Sequence, residues 1–164
     1  MTGVQTCALP ICSRWDQGKK REGLAILERA LHLKQAGPYQ IQAAISALHV
    51  QAERPEETDW PQIATLYERL WHMSPSPVIE LNRAVAVAMA DGPLAGLALL
   101  DQPEMQQALS NYHLFHAARA DLLQRAGRLA EASSAYGEAL ILCQNEHDRV
   151  YLHRRLTEVA AEAS

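Results

Sequence analysis

Apolar residues recur three and four positions apart along most of the chain from residue 18 to residue 162, which is the pattern of amphipathic helices. Helix boundaries are marked by proline and glycine at Gly37-Pro38, Ser74-Pro75-Ser76-Pro77 and Asp91-Gly92-Pro93. Between Gln102 and Ser110 the pattern loosens, and we expect only one helical turn there, around Met105. The sequence therefore predicts an all-α protein.

The clearest periodic segment runs from His113 to Cys143 and contains two helices joined at Gly127. Small residues at Ala120 and Ala132 allow the two helices to approach, and Tyr136 lies where an aromatic ring fills the remaining gap. This spacing is typical of a tetratricopeptide-type helical hairpin.

Turn residues recur at Thr58, Gly92 and Gly127, a period of about 34 residues that matches this repeat. We therefore expect a tetratricopeptide-like, right-handed helical solenoid of about seven to eight helices over residues 19–164. The final helix is expected to carry Arg149, Arg154 and Arg155 on its outer side, as a polar cap.

The first predicted helix presents Leu24, Leu27 and Leu31 on one face and aligns with the second helix of a hairpin. Since no first helix precedes it, we expect an N-terminally truncated solenoid with an apolar face left open.

Residues 1–12 share no periodicity with the rest, and VQTCALPI resembles a translated sequencing adapter, so we interpret them as non-native. They fit a signal peptide poorly because they lack a basic start and contain Pro10.

Composition narrows the functional classes. The net charge is −4 and the basic residues are scattered, which disfavours direct DNA binding by this chain. No apolar run is long enough for a membrane span, so no membrane partner is expected. Of the three cysteines only Cys143 lies in a periodic segment, where it is interpreted as a small core residue. This usage favours a reducing, cytoplasmic compartment.

Candidate chemistry is sparse. His113 and His116 lie three positions apart on one helix and could present two imidazoles to a metal, but no third ligand can be named. Cys7 and Cys12 have no second pair to complete a zinc site. No nucleophile elbow, phosphate loop or paired carboxylates occur, so we predict no enzyme activity, no catalytic residue, no cofactor and no metal.

Partner contact is the functional interpretation of several polar residues, whereas a solvated or helix-packing role is the favoured one. Glu80, Asn82 and Arg83 interrupt an otherwise apolar helix, as either a solvated stripe or a line that contacts a partner. The other candidates for partner contact lie near the chain start and in the hairpin. They are Arg14, Trp15, Asp16, His113, His116 and Arg119. Trp15 lies outside any periodic face and is the preferred aromatic anchor.

The segments SRWDQGKKREGLAILERAL, SPVIELNRAVAVAMADGPLAGLALLD and YHLFHAARADLLQRAGRLAEASSAYGEAL resemble the C-terminal extension of a group of extracytoplasmic-function (ECF) sigma factors. The similarity runs in order from Ser13 to Val159 and includes LNRAVA and HAARADLL. It implies an accessory, tetratricopeptide-like domain that controls sigma activity. It also implies that residues 13–18 are the end of the linker to that domain. The regions that contact the promoter and RNA polymerase in that family are not in this sequence.

Three functions follow as hypotheses. The first is a regulatory or protein-interaction domain of an ECF sigma factor, whose partners are the sigma core in cis and, through the parent protein, RNA polymerase. The second is a free-standing tetratricopeptide adaptor that binds an extended peptide. The third, a metal-dependent hydrolase centred on His113 and His116, lacks the ligands that a catalytic zinc requires.

Overall fold

The computed structural model describes residues 16–32, 37–52 and 54–162, and these form α-helices and one short 3₁₀ helix, with no strand among them. The α-helices are α1 (Gln17–His32), α2 (Pro38–Gln51), α3 (Trp60–Met73), α4 (Pro77–Asp91), α5 (Pro93–Leu100), α6 (Pro103–Ala108), α7 (His113–Arg125), α8 (Leu129–Leu142) and α9 (Glu146–Glu162). The 3₁₀ helix is Pro55–Glu57. The predicted all-α class is therefore confirmed.

Local sequence signals account for several helix ends. The Asp59 carboxylate accepts a hydrogen bond from the Gln62 backbone N–H at 3.0 Å and so caps α3. Gly127, at φ 76°, ends α7 in the left-handed region that glycine adopts without strain. The Arg128 N–H then donates to the Leu123 carbonyl at 2.9 Å, the return bond of a Schellman motif.

Each helix packs mainly on its neighbour in the chain. α1 packs on α2, α2 on α3, α3 on α4, α4 on α5, α7 on α8 and α8 on α9, and α5 also contacts α7. α4 holds two hydrophobic cores together: Leu81 and Ala88 face the larger core of α4 to α9, whereas Ala86 faces the smaller core of α2 to α4. Ile63 and Leu70 of α3 complete the smaller core.

Two details differ from the sequence predictions. The segment around Met105 is a helix, α6, because the Met105 side chain is buried in the larger core, and this brings the described α-helices to nine rather than seven to eight. Arg155 was expected on the outer side of α9, which is wrong. Its guanidinium points inward and bonds Asp121 and Gln124 of α7, since α9 packs on α8 and lies beside α7 at this point.

The first helix, α1, packs on α2. Leu24 and Leu27 of α1 are half-buried against α2, while Ile26 on the same helix is 51% exposed. Leu31, the third member of the predicted face, has a side chain outside the described part of the structure. Among the described helices, none is long and apolar enough to cross a membrane.

Candidate functional site

An open, largely apolar groove of about 710 Å³ lies between α1 and α2. Its apolar lining comes from both helices and consists of Leu24, Leu27, Ala43, Ala47 and Val50, with Gly23 between. Asp16, Lys19 and Ser46 add a carboxylate, an ammonium group and a hydroxyl to the lining. A groove of this composition suits an apolar segment carrying a few polar groups.

The residues predicted at the chain start are only partly described. Arg14 and Trp15 lie outside the described residues. Asp16 is exposed, and its Oδ1 accepts hydrogen bonds from the Gly18 N–H at 2.8 Å and the Lys19 N–H at 3.2 Å. Asp16 thus caps α1 while its side chain also lines the groove.

Glu80 and Arg83, predicted as partner contacts, bond each other. The Arg83 Nε and Nη2 donate to the two Glu80 carboxylate oxygens at 3.0 and 2.9 Å. Nη1 lies 3.8 Å from Glu68 Oε1 on α3, and the hydrogen bond to Glu80 raises the pKa of Arg83. The Arg83 side chain is only 23% exposed, and its contact with Glu68 links α4 to α3. Asn82 is half-buried beside it.

The three predicted residues of α7 point to different neighbours. His116 Nε2 lies 2.8 Å from the Ser110 carbonyl oxygen, and Arg119 Nε donates to Asp101 Oδ1 at 2.8 Å. These two contacts fasten the chain before α7 and the end of α5 to the α7 face. His116 is thereby engaged with backbone, which argues against its pairing with His113 on a metal.

His113 instead meets Cys143 and Asp148. One potential ligand atom from each of these three residues lies within 4.8 Å of the other two, and His113 Nε2 is 3.8 Å from Asp148 Oδ2. His113 Nε2 is buried and has no hydrogen-bond partner in the described structure. Cys143 is buried, as predicted for a core residue, and its Sγ lies 3.4 Å from the Asn145 carbonyl oxygen, to which the thiol donates.

A second polar cluster surrounds Arg155 and had no counterpart in the sequence analysis. Its Nη2 donates to Gln124 Oε1 at 2.8 Å and to Asp121 Oδ1 at 3.1 Å, and its Nε donates to the Tyr136 hydroxyl at 3.3 Å. Nη1 donates to Glu158 Oε2 at 2.8 Å. Burial raises the pKa of Tyr136 to about 12, against the lowering effect of the Arg155 hydrogen bond.

Neither polar cluster resembles an assembled catalytic site. The guanidinium of Arg155 donates to carboxylate, amide and phenol oxygens within the fold. These hydrogen bonds join helices and do not leave the guanidinium directed at a substrate site. The groove between α1 and α2 is therefore the best candidate for partner binding, and the His113 cluster is the best candidate for ligand chemistry.

Comparison with known proteins finds a relative of this chain. The chain is 44% identical over 148 residues to an uncharacterized protein of Rhizobium meliloti (strain 1021). The match covers 90% of this chain and 34% of the relative, so the chain spans about a third of that protein's length. No protein-family model matches the chain, and no solved structure matches it.

Proposed function

We propose that this chain is a regulatory, protein-interaction module of an ECF sigma factor, built as a tetratricopeptide-like helical stack. The observation that carries the proposal is the open apolar groove between α1 and α2. An apolar groove at the side of a helical stack is a common place for a helix or extended segment of a partner to dock.

The arrangement of helices supports the tetratricopeptide-like interpretation. α7 and α8 pack closely along their length, with Ala120, Ala132 and Tyr136 all buried between neighbouring helices, as the repeat spacing requires. α3 with α4 and α4 with α5 continue the series of neighbouring helices. Such stacks display binding surfaces rather than catalytic groups.

The proposed occupant of the groove is the sigma core of the same polypeptide. The matched relative is about three times the length of the matched segment, since that segment covers 34% of it. A module within a longer chain meets its partner at high effective concentration, so even a modest groove would suffice. Through this contact the module would control access of the sigma core to RNA polymerase in the cytoplasm, without contacting DNA itself.

The test is promoter-directed transcription by reconstituted RNA polymerase with a full-length sigma factor that carries this module. Leu27→Asp places a carboxylate in the groove and is expected to change transcription several-fold, to the same extent as deletion of the module. Ile26→Asp is the matched control, because Ile26 is 51% exposed and does not line the groove. Unchanged transcription after both deletion and Leu27→Asp would contradict a regulatory role.

The alternative, a free-standing adaptor for extended peptides, would use the same groove. It predicts that the isolated chain is soluble and binds peptides, with affinity lost in Leu27→Asp. The sigma-factor hypothesis predicts that the isolated chain self-associates through its exposed α1 face, and that the sigma core added in trans suppresses this association. Analytical ultracentrifugation with and without the sigma core distinguishes the two.

A further inference from the structure

Three helix ends meet at one point in the C-terminal half of the chain. His113 is the first residue of α7, Cys143 directly follows α8, and Asp148 lies in the first turn of α9. No local sequence motif links them, because they are brought together only by the packing of α7 on α8 and of α8 on α9.

The three side chains supply a nitrogen, a sulfur and an oxygen donor. Their ligand atoms lie within 4.8 Å of one another, and His113 Nε2 is 3.8 Å from Asp148 Oδ2. Donors around a tetrahedral zinc ion are about 3.3–3.8 Å apart, given the usual Zn–N, Zn–O and Zn–S lengths. A contraction of at most about 1.5 Å, within reach of side-chain rotation, would bring the set into coordination distance.

The state of His113 favours a ligand at this point. Its Nε2 is buried and lacks a hydrogen-bond partner in the described structure, which is uncommon for a buried ring nitrogen. Asp148 Oδ2, by contrast, already accepts from Asn145 Nδ2 at 3.2 Å, an outer hydrogen bond of the kind that orients a metal-binding carboxylate.

The chemistry of the donors selects the ion. A thiolate with an imidazole favours zinc and similar thiophilic divalent ions over magnesium or calcium, which prefer oxygen ligands. The thiolate of Cys143 and the carboxylate of Asp148 would together neutralise a divalent cation. The guanidinium of Arg149 opposes the cation, and its Nη1 is held by the Leu140 and Cys143 carbonyl oxygens, to which it donates at 3.0 and 3.2 Å.

From this geometry we infer that His113, Cys143 and Asp148 bind a thiophilic divalent cation of the zinc class. Water completes the coordination from the side of Asp148, whose side chain is 40% exposed. The bound ion fastens the start of α7, the end of α8 and the start of α9 to one another. This inference does not depend on the proposed function, because the groove between α1 and α2 shares no residue with it.

The experiment uses the purified full chain, reduced and freed of metal, with Co²⁺ as a spectroscopic probe and Zn²⁺ as competitor. We expect one equivalent of Co²⁺ to produce a sulfur-to-cobalt charge-transfer band that Zn²⁺ removes. His113→Gln and Cys143→Ala are each expected to weaken Zn²⁺ binding by more than about tenfold, since even outer-shell substitutions cost about 10–100-fold.

Two control variants separate this site from the other candidates in the sequence. His116→Gln should bind the metal as the unaltered chain does, because His116 faces the Ser110 carbonyl oxygen. The double variant Cys7→Ser, Cys12→Ser should also retain the charge-transfer band. Loss of the band in either control would overturn the assignment.

Cys143 and His113 are both packed within the fold, so a third variant guards against unfolding. Asp148→Asn changes a more exposed side chain and should keep the circular dichroism of the unaltered chain while weakening Zn²⁺ binding more than about tenfold. Unaltered Zn²⁺ affinity in Asp148→Asn, or the absence of a charge-transfer band in the unaltered chain, would overturn the proposal.

Discussion

Gly96 of α5 lies so close to Ala88 of α4 that a Cβ added to the glycine would be 2.5 Å from the Ala88 Cβ. The same added atom would be 2.6 Å from the Ala84 carbonyl oxygen, which belongs to the α4 backbone and cannot rotate away. Gly96 is itself buried, so α4 and α5 approach each other at this point through the missing side chain.

Gly96→Ala is therefore expected to destabilise the protein by about 1–3 kcal/mol, the usual cost of overpacking a tight core. Alanine favours helices by about 1 kcal/mol over glycine, and the steric clash must exceed that gain. Urea unfolding followed by circular dichroism measures the change in the free energy of unfolding. Gly137→Ala in α8 is the matched control, because nothing lies within 4 Å of its added Cβ, and it should be neutral or stabilising.

The Arg155 cluster predicts that lysine cannot replace this arginine. Three separate guanidinium nitrogens of Arg155 bond Tyr136, Asp121, Gln124 and Glu158, and an ammonium group cannot reach them together. We expect Arg155→Lys to lower the free energy of unfolding by about 1–3 kcal/mol.

Arg154→Lys provides the comparison for that substitution. The Arg154 side chain is 67% exposed and pairs only loosely with Glu158, at 3.6 Å. Its replacement should change the free energy of unfolding by less than about 0.5 kcal/mol. Equal losses in the two variants, measured by urea unfolding, would show that the inward cluster adds nothing beyond a surface charge.

The helices themselves were predictable because their boundaries are encoded locally. Asp59 lies three residues before Gln62, which is the spacing of a helix start, and Gly92 and Gly127 are turn residues that the structure places at positive φ. Local signals also indicated the buried positions of the hairpin, such as Ala120 and Tyr136. A helix phase needs only the neighbouring residues, so one sequence suffices to assign it.

Contacts between distant segments were not predictable in the same way. Gly96 lies in a short helix that is apolar on nearly every side, so its sequence does not reveal which face meets α4. Arg155 lies in a helix with many charged residues, and nothing local distinguishes it from Arg154. His113, Cys143 and Asp148 meet through packing alone, which is why the sequence suggested His116 as the partner of His113 instead.

The raised pKa of Tyr136 predicts that the free energy of unfolding decreases at alkaline pH. Its pKa is raised from 10.0 to about 12 in the folded protein, chiefly by burial, so the folded state retains the phenol proton that the unfolded state has lost. The stabilisation is complete below pH 10 and is lost as the pH rises towards 12. This one group should remove about 1 kcal/mol between pH 10 and pH 11.

Tyr136→Phe should abolish that component, because phenylalanine does not titrate. Urea unfolding at a series of alkaline pH values is the measurement, and the slope of the variant should be shallower than that of the unaltered chain. Tyr39→Phe is the control, since Tyr39 is 83% exposed and should leave the slope unchanged. Parallel slopes for Tyr136→Phe and the unaltered chain would refute the prediction.

His49 predicts the opposite dependence, a loss of stability in acid that arises in the smaller core. Its ring packs edge-on against Trp60, with centroids 5.2 Å apart, and burial lowers its pKa below the ordinary value of 6.5. As the pH falls through 6.5, the unfolded chain takes up a proton that the folded chain still excludes, so the free energy of unfolding decreases. His49→Gln should reduce the difference in unfolding free energy between about pH 7.5 and about pH 5.5, whereas His153→Gln, on the exposed surface of α9, should not.

A second consequence concerns the groove. Because His49 and Val50 are adjacent on α2, lowering the pH should also destabilise the part of α2 that lines the groove through Val50. Hydrogen exchange of the α2 amides at the two pH values would detect this, and α2 protection that does not change with pH would contradict it.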